Sequence, residues 1–315
     1  MPVLRRTGSA VLLVSTLVVV TACAVAPSGT PGPGTTLGSC PVFPVDNAWN
    51  RDVSAVPVDP ASDRYVADIL AHGGSHLHAD FGGGGAYGIP FTTVGSGWPK
   101  LPVRFTAYGD ESDPGPYPVP LDAPVEGGPS SDGDRHVITV DTSECRLYEL
   151  YRAFARGDHW DADSGAVFDL RSNATRPLGW TSADAAGLPI LAGLTRYDEV
   201  ARGRIDHALR FTVAHTQRAY VEPATHFASN STDASAPPMG LRLRLKATFD
   251  RSAFHGQARV ILDALARYGM IVADNGSNWF ISGDVDPRWD DGDLNQLKAV
   301  PGSAFEVVEA GTIHH

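Results

Sequence analysis

His136-Val-Ile-Thr-Val-Asp141 and Arg146-Leu-Tyr-Glu-Leu-Tyr-Arg-Ala153 are the two segments that decide the fold class of this 315-residue chain. Both are rich in β-branched, aromatic and aliphatic residues, which favour strands. Alternate residues of a strand share a face, so His136, Ile138 and Val140 are expected to point to the same side. Only four residues separate the two segments, and this spacing predicts a β-hairpin.

Further short apolar runs flank this hairpin, with segments rich in Gly, Pro and Asp between them. The predicted strands outside the hairpin cover residues 101–107, 166–170, 208–213, 241–246, 270–274 and 279–282. Helical spacing of apolar residues occurs at 62–72 and, most clearly, at 252–268, where Gly269 follows as a typical cap. Shorter helical turns are expected at 181–186 and 197–201. The chain is therefore predicted to be mainly β: a single β-sandwich or jelly-roll-like domain with long loops and one packed C-terminal helix.

Residues 1–22 have the features of a secretory signal peptide. A basic start precedes an apolar run at 10–20, which is shorter than the roughly 20 residues that a transmembrane helix needs. The following Val20-Thr21-Ala22-Cys23 resembles the lipobox of bacterial lipoproteins. This resemblance implies cleavage before Cys23 and acylation of its thiol, and two acyl chains suffice for stable anchoring in a membrane. The alternative is an ordinary signal peptide in which Cys23 has no role.

Residues 23–39 are dominated by Pro, Gly, Ser and Thr, which predicts a flexible tether. The folded, β-rich domain is then expected at 40–315. With Cys23 assigned to the lipid, Cys40 and Cys145 remain as an even pair, which is typical of a disulfide in an exported protein. Two unpaired thiols are the alternative.

The charge balance argues against nucleic acid as a partner. Outside residues 1–22, the chain has 23 basic and 36 acidic residues, a net charge of −13. Such a surface repels phosphate backbones and offers no basic patch to anionic lipid, so membrane attachment is expected to depend on the lipid anchor alone. The run at 241–246 alternates Leu with Arg and Lys, which predicts one buried and one cationic face.

The first candidate for chemistry is His76-Leu-His-Ala-Asp80. In an extended segment His76, His78 and Asp80 share a face, so their side chains could converge. Two imidazoles and a carboxylate suit a divalent first-row metal, or a base with its orienting acid. The alternative is a polar loop without a bound ion, and no specific cofactor follows from the sequence.

The second candidate is Asp206-His-Ala-Leu-Arg-Phe-Thr212 with the downstream His226. On a strand, His207 shares its face with apolar residues, whereas Arg210 points the other way together with Asp206. A half-buried Arg–Asp pair is also a common structural device. His226 lies in a predicted loop, where functional histidines are more frequent than on strands.

A third group consists of carboxylates at strand ends: Asp141, Asp169 and Asp274. Hydrolysis of a glycosidic bond needs one protonated and one ionised carboxyl group. Asp is also common where strands give way to turns, so the pattern does not select a pair. Tryptophans in predicted loops or strand ends suit stacking on sugars, but tryptophans also cover the ends of β-cores; they are Trp98, Trp160, Trp180, Trp279 and Trp289.

Longer phrases resemble a family of uncharacterised exported bacterial proteins. They are Asp46-Asn-Ala-Trp-Asn50, Gly88-Ile-Pro-Phe91, Gly179-Trp-Thr-Ser-Ala-Asp-Ala-Ala-Gly-Leu-Pro189, Asp206-His-Ala-Leu-Arg-Phe-Thr212 and Arg267-Tyr-Gly-Met-Ile-Val-Ala-Asp-Asn-Gly276. The resemblance extends over residues 40–308. It implies export and a single domain, and it transfers no catalytic residue.

Three functions remain open at this point. The first is a membrane-anchored extracytoplasmic enzyme that acts on extracellular glycan as a hydrolase or lyase, with a cleft built from 76–80, His207, Arg210 and His226. The second is a surface protein that binds polysaccharide or cell wall without catalysis. The third is an accessory lipoprotein whose polar clusters only stabilise loops. No nucleotide, phosphate-loop or zinc-protease motif is present in the sequence. The oligomeric state does not follow from the pattern.

Overall fold

The hairpin predicted from the sequence forms the centre of a four-stranded sheet in the computed structural model, which describes residues 30–32, 34–308 and 311–315. Its two strands pair in antiparallel register from Val137 opposite Leu150 to Asp141 opposite Arg146. The predicted four-residue turn is thereby confirmed. The signal peptide predicted for 1–22 and the lipidation site Cys23 lie outside the described residues.

The described strands, in chain order, are β1 (Thr30–Pro31), β2 (Thr36–Leu37), β3 (Cys40–Pro41), β4 (Arg51–Asp52), β5 (His78–Ala79), β6 (Phe91–Val94), β7 (Val103–Phe105), β8 (Val137–Asp141), β9 (Arg146–Tyr151), β10 (Phe154–Arg156), β11 (His159–Ala162), β12 (Ser164–Asp169), β13 (Leu209–Val213), β14 (Tyr220–Val221), β15 (Arg242–Leu245), β16 (Met270–Asn275), β17 (Phe280–Ile281), β18 (Phe305–Val307) and β19 (Ile313–His314). The α-helices are α1 (Ser62–Ala71), α2 (Ile190–Gly193), α3 (Tyr197–Ala201), α4 (Gly256–Arg267) and α5 (Asp291–Asn295). Short 3-10 helices cover Ala48–Asn50, Gly83–Gly85, Gly109–Glu111, Gln296–Ala299 and Gly302–Ala304. No helix in this part of the chain is both long and apolar enough to cross a bilayer.

Two sheets form most of the fold, which is mainly β as predicted. The six-stranded sheet has the order β18-β15-β16-β13-β17-β5, and the four-stranded sheet has the order β12-β9-β8-β6. In the larger sheet β13 is parallel to β16 and antiparallel to β17. Strand β13 therefore separates β16 from β17, although only a short turn joins those two strands along the chain. A three-stranded sheet, β10-β11-β7, lies beside the smaller sheet.

Both faces of the hairpin are buried. Ile138, Val140 and Leu147 pack in one hydrophobic cluster with residues of the six-stranded sheet and of α4. Tyr148 and Leu150 point the opposite way, into a second cluster that contains Trp160 from the three-stranded sheet. The packing against the six-stranded sheet is that of a β-sandwich, and the three-stranded sheet covers the other face, because each apolar face must be buried against another element.

The disulfide predicted between Cys40 and Cys145 is present, with a Cα–Cα distance of 5.4 Å. It connects β3 near the start of the described chain to the turn of the hairpin. The two residues are 105 positions apart. Closing a loop of that length in the unfolded state contributes up to about 4–5 kcal/mol of stability in the chain-entropy account.

In the part of the predicted tether that the structure describes, residues 30–32 and 34–39, the chain pairs with other strands and packs on the domain; the rest of the predicted tether lies outside the described residues. Strand β1 pairs with β4, and β2 pairs with β3. Thr35 is buried and donates its hydroxyl to the carboxylate of Glu199. Composition alone missed this packing because short Gly/Pro-rich segments can be held by pairing with a neighbouring strand.

Two further expectations on local structure need correction. The predicted cationic face of 241–246 is not a solvent-exposed ladder, because Arg244 is buried and paired with Glu306 at 2.8 Å. Residues 181–186 form turns and bends rather than a helical turn. By contrast, the helical turn expected at 197–201 is present as α3, and α4 occupies most of the helix expected at 252–268.

Candidate functional site

The pairing of four neighbouring strands brings polar side chains to one face of the six-stranded sheet. Asp80 directly follows β5, and Ser282 directly follows β17. Strand β5 pairs with β17, and β17 pairs with β13, which carries Arg210. On the other side of β13, Asp274 of β16 lies in register with Thr212. Register partners and alternate residues share a face. The face therefore carries Asp80, Ser282, Arg210 and Asp274 side by side.

A buried ion pair forms the floor of this face. Arg210 donates Nε to Asp184 Oδ2 at 3.0 Å and Nη2 to Asp184 Oδ1 at 2.7 Å, and it donates Nη1 to the Ser282 hydroxyl at 2.5 Å. Both charged side chains are at most 5% exposed. A bidentate pair satisfies the fixed geometry of the guanidinium and keeps it in one orientation. Asp184 comes from the loop between β12 and α2.

Asp274 is a carboxyl group on this face whose pKa is raised well above its usual value. Its side chain is half-buried at the end of β16. Burial raises the pKa of Asp274 to about 7, the negative charge of Asp184 adds to the rise, and Arg210 opposes it. A carboxyl group with such a pKa holds its proton near neutral pH, which is the condition for donating it in a reaction.

A second ion pair approaches from the four-stranded sheet. His136, just before β8, contacts Glu126 Oε2 through Nδ1 at 2.6 Å and the carbonyl oxygen of Ala183 through Nε2 at 3.0 Å. Burial acts to lower the pKa of His136, but the hydrogen bond and charge of Glu126 raise it to about 9. Conversely, burial acts to raise the pKa of Glu126, and His136 outweighs it, so that the pKa of this carboxyl lies below its usual value.

Asp80 completes the group, which we call the Arg210 cluster: Arg210, Asp184, Asp274, His136, Glu126 and Asp80. The pKa of Asp80 is raised by burial and by the charge of Glu126, whereas Arg210 lowers it. Solvent reaches the exposed Asp80, the half-buried Asp274 and Glu126, whose side chain is 25% exposed. The two cations are buried beneath them. The cluster thus presents three carboxyl groups to solvent above the buried Arg210–Asp184 ion pair.

Three of the residues proposed from the sequence for a cleft lie in or beside this cluster: Asp80, Arg210 and His226. Asp274, one of the strand-end carboxylates, also belongs to it. Arg210 is its centre. His226 lies beside it, because His226 Nδ1 is 2.8 Å from the carbonyl oxygen of Ala185, the residue after Asp184. Its other ring nitrogen is 3.9 Å from Glu111 Oε2.

His207 does not take part, and its inclusion in the predicted cleft was wrong. Its Nε2 is 2.9 Å from Glu199 Oε2, and the ring is 1% exposed. Arg196 binds the same carboxylate, with Nη2 2.7 Å from Oε1. His207 lies in a bend two residues before β13, and its ring contacts Glu199, whereas Arg210 contacts Asp184. His207 therefore belongs to a buried structural network.

His76 and His78 also do not combine with Asp80 as a metal group. His78 Nδ1 is 2.9 Å from the carbonyl oxygen of His76, and its ring stacks on Phe280 with centroids 4.7 Å apart. His76 is exposed and contacts the Ser75 hydroxyl at 3.0 Å. Within the described residues, no metal-ligand geometry joins these three side chains. The metal interpretation of 76–80 was therefore wrong.

The remaining carboxylates and tryptophans proposed from the sequence lie outside the Arg210 cluster or in the core. Asp141 and Asp169 accept hydrogen bonds from backbone amides of the turns that follow them, at 2.9 Å in each case, so they have a structural role. Trp160, Trp279 and Trp289 are buried in the core. Trp180 is half-buried, and Trp98 is 46% exposed on a loop.

No protein-family model, curated protein or solved structure matches this chain. The residues that sequence reasoning missed are Asp184 and the pair Glu126–His136. Asp184 lies within one of the phrases quoted above for their resemblance, and this was the available signal. Glu126 lies in a long loop and has no local pattern that distinguishes it from other acids.

Glu149 provides a pH-dependent contact beneath the cluster. It is fully buried on β9 and accepts hydrogen bonds from the amides of Ile190 at 3.0 Å and Leu191 at 2.9 Å, at the start of α2. Burial raises the pKa of Glu149 to about 7 in spite of these hydrogen bonds, from an ordinary value of 4.5. The folded protein therefore binds a proton here more tightly than the unfolded chain does.

We expect the contribution of Glu149 to stability to be fully present below pH 4.5 and to decrease as the pH rises to about 7. Glu149→Gln should flatten this part of the profile, since glutamine does not titrate. Denaturant unfolding of both proteins between pH 4 and 8 measures the effect as a difference in slope. Glu144→Gln, in the exposed turn of the hairpin, is the control and should follow the parent. An unchanged slope in Glu149→Gln would contradict the assignment.

Proposed function

We propose that this protein is a membrane-anchored extracytoplasmic lipoprotein whose Arg210 cluster hydrolyses an extracellular glycan. The observation that carries the proposal is that the pKa values of two solvent-accessible carboxyl groups are shifted in opposite directions. The pKa of Asp274 is raised to about 7 by burial and Asp184, whereas His136 holds the pKa of Glu126 below its usual value against the effect of burial. A pair of carboxyl groups whose pKa values differ in this way can supply one acid and one base to a reaction.

In the proposed reaction Asp274 gives its proton to the glycosidic oxygen as the bond to the sugar carbon breaks. The ionised Glu126 acts at the same carbon, either by taking a proton from the attacking water or by forming a transient bond that water then hydrolyses. His136 keeps Glu126 ionised and oriented. Arg210 and Asp184 hold the floor rigid, so that proton transfer occurs between fixed groups.

The charge of the cluster favours a neutral glycan. The groups that solvent reaches are the carboxyls of Asp80, Glu126 and Asp274, and the cations Arg210 and His136 are buried. A polyuronate would bring further carboxylates against this surface, and the repulsion lowers its affinity. Hydrolysis of a neutral polysaccharide is therefore better supported than elimination from an acidic one.

A glycan panel tests the proposal. The full-length protein is incubated with neutral glucans, xylans and arabinans and with pectate and alginate, while released reducing ends and the absorbance of unsaturated products are recorded. We expect reducing ends from at least one neutral glycan and no unsaturated product. Unsaturated product from a polyuronate would replace hydrolysis by elimination, and no product from any glycan would contradict catalysis.

Exposed aromatic rings support a second candidate, a protein that binds polysaccharide or cell wall without catalysis. Tyr87 is 65%, Trp98 is 46% and Tyr108 is 47% exposed, all outside the strands. Aromatic side chains with an apolar body and a polar tip are well suited to recognition surfaces of this kind. Retention on an insoluble glycan with no released product would favour this candidate over hydrolysis.

The proposed export is supported by the disulfide Cys40–Cys145, because such bonds persist in oxidising compartments. The proposed anchor rests on the resemblance of residues 20–23 to a lipobox. Cys23→Ala should abolish incorporation of labelled fatty acid and release the protein from the membrane, without loss of its folded circular-dichroism spectrum. Metabolic palmitate labelling and detergent phase partitioning measure both effects. Ser28→Ala, in the same predicted tether, is the control and should remain labelled. Labelled Cys23→Ala protein would contradict the anchor.

A further inference from the structure

A second group of chemically active side chains lies where α1 ends and the loop after β13 begins. Asp68 and His72 are one turn apart on and just after α1, and His215 follows β13. His215 Nδ1 is 3.0 Å from Asp68 Oδ2, and His72 Nδ1 is 3.3 Å from Asp68 Oδ1. The two imidazole rings face each other with centroids 4.2 Å apart.

We propose that Asp68, His72 and His215 bind a divalent first-row transition metal ion, with zinc as the best fit. One ligand atom from each residue lies within 4.8 Å of the others. Four ligands at 2.0–2.1 Å from a tetrahedral ion are about 3.4 Å apart, so small side-chain adjustments suffice. Two imidazole nitrogens and one carboxylate are a ligand set that suits zinc and its neighbours, and the set leaves one position for water.

The state of Asp68 gives the strongest argument for a bound cation. Its side chain is only 4% exposed. In the described part of the chain, its carboxylate contacts the two imidazoles and no Lys or Arg side chain. A buried carboxylate without a permanent positive partner is costly. A metal ion held between Asp68 and the imidazoles would supply that charge.

The surroundings also provide access and orientation. The side chains of His72 and His215 are 45% and 25% exposed, so an ion can enter from solvent. His72 Nδ1 is 2.8 Å from the carbonyl oxygen of Asp68, which leaves Nε2 of His72 as its ligand atom. His215 Nε2 is 3.2 Å from the Ser231 hydroxyl, which leaves Nδ1 of His215 to bind beside Asp68. Contacts of this type fix the ring orientation of metal-binding histidines.

A bound ion would connect two segments that are far apart in sequence. Asp68 lies on α1 and His72 directly follows it, whereas His215 and Ser231 bracket a stretch that includes β14 and the loop that contains His226. The ion would therefore hold this loop, and with it His226, in place beside the Arg210 cluster. The proposed ion does not touch the carboxyls assigned to hydrolysis, so the site stands independently of the proposed catalysis.

Metal titration of the full-length protein tests this site. After treatment with a chelator and its removal, Zn²⁺ is titrated calorimetrically, and Co²⁺ is added to record its visible absorption. We expect one equivalent of either ion and a cobalt spectrum typical of nitrogen and oxygen ligands. His72→Ala and His215→Ala should each weaken binding by about 100-fold or more, since loss of an orienting partner alone costs 10–100-fold. His255→Ala removes an exposed histidine that contacts Asp293 and Gln296, each at 3.3 Å from Nδ1, and should bind as the parent does.

The outcomes separate the alternatives. If the parent protein gives no cobalt absorption and no stoichiometric zinc binding, the site does not exist. If His215→Ala binds as tightly as the parent, the ligand set is wrong. Circular dichroism of each variant checks folding. If His215→Ala fails to fold, His215→Gln replaces it. A zinc-dependent rise in melting temperature in the parent, absent in the His215 variant, would support the proposal because an ion bound only to the folded state stabilises it.

Discussion

Replacing Asp274 by asparagine should reduce glycan hydrolysis by about 1,000-fold, because general acid catalysis by one positioned side chain contributes 10²–10⁴-fold. Asparagine has nearly the same size and removes only the transferable proton. Asp274 is half-buried, and burial and the charge of Asp184 raise its pKa because both disfavour the ionised form of its carboxyl group. The variant should therefore fold at least as well as the parent. Initial rates of reducing-end release on the responding glycan measure the effect.

Asp169→Asn is the matched control, since Asp169 also ends a strand but accepts a hydrogen bond within its own turn. It should retain the parental rate. The parent should also lose activity as the pH rises through about 7, where Asp274 gives up its proton. Retention of most of the activity in Asp274→Asn, or equal losses in both variants, would remove Asp274 from the role of proton donor.

The elements that depend on local periodicity were predictable. The alternation in β8 and β9 and the four residues between them specify the hairpin, because strand residues two apart must face the same layer. The helical spacing before Gly269 likewise specifies α4, although the helix begins at Gly256 rather than at 252. Start positions are less predictable, since they depend on capping contacts such as the Gln257 amide with Asp293.

The candidate site depended on pairings that local patterns do not encode. The predicted strands 270–274 and 279–282 are close along the chain, yet β13 lies between β16 and β17 and brings Arg210 beside Asp274. Asp184 and Glu126 come from loops, whose positions follow from the packing of the two sheets. Sequence reasoning therefore found Arg210, His226 and Asp80 but missed the two acids that determine their electrostatics.

Side-chain direction explains the wrong assignments. The alternation rule already separated His207 from Arg210, and grouping them in one cleft disregarded that separation. Conversely, Asp68 and His72 are four residues apart on a predicted helix, and such pairs share a face. This spacing was the available signal for the proposed metal site. The third ligand, His215, is 143 positions from His72, and only the fold brings it there.

Asp184→Asn should lower the free energy of unfolding by about 4 kcal/mol, because removing one partner of a buried ion pair leaves an uncompensated charge and typically costs 3–5 kcal/mol. Asp184 is 1% and Arg210 is 5% exposed, and two hydrogen bonds join them. Denaturant unfolding at pH 7 measures the loss. Asp113→Asn is the comparison at a partly exposed position, since Asp113 is 34% exposed and accepts a single hydrogen bond from Arg176. Its loss should be smaller.

The combination of Asp184→Leu with Arg210→Met separates the cost of an unpaired charge from the value of the pair itself. Apolar replacement of both partners is often neutral or stabilising, so the double variant should regain much of the stability that either single change loses. Because the charge of Asp184 helps to raise the pKa of Asp274 and Arg210 lowers it, Asp184→Asn should also move the alkaline loss of activity to lower pH. An unchanged pH profile in a folded Asp184→Asn protein would mean that the ion pair is structural and does not tune the proposed acid. A double variant as unstable as the singles would mean that the pair contributes more than charge compensation.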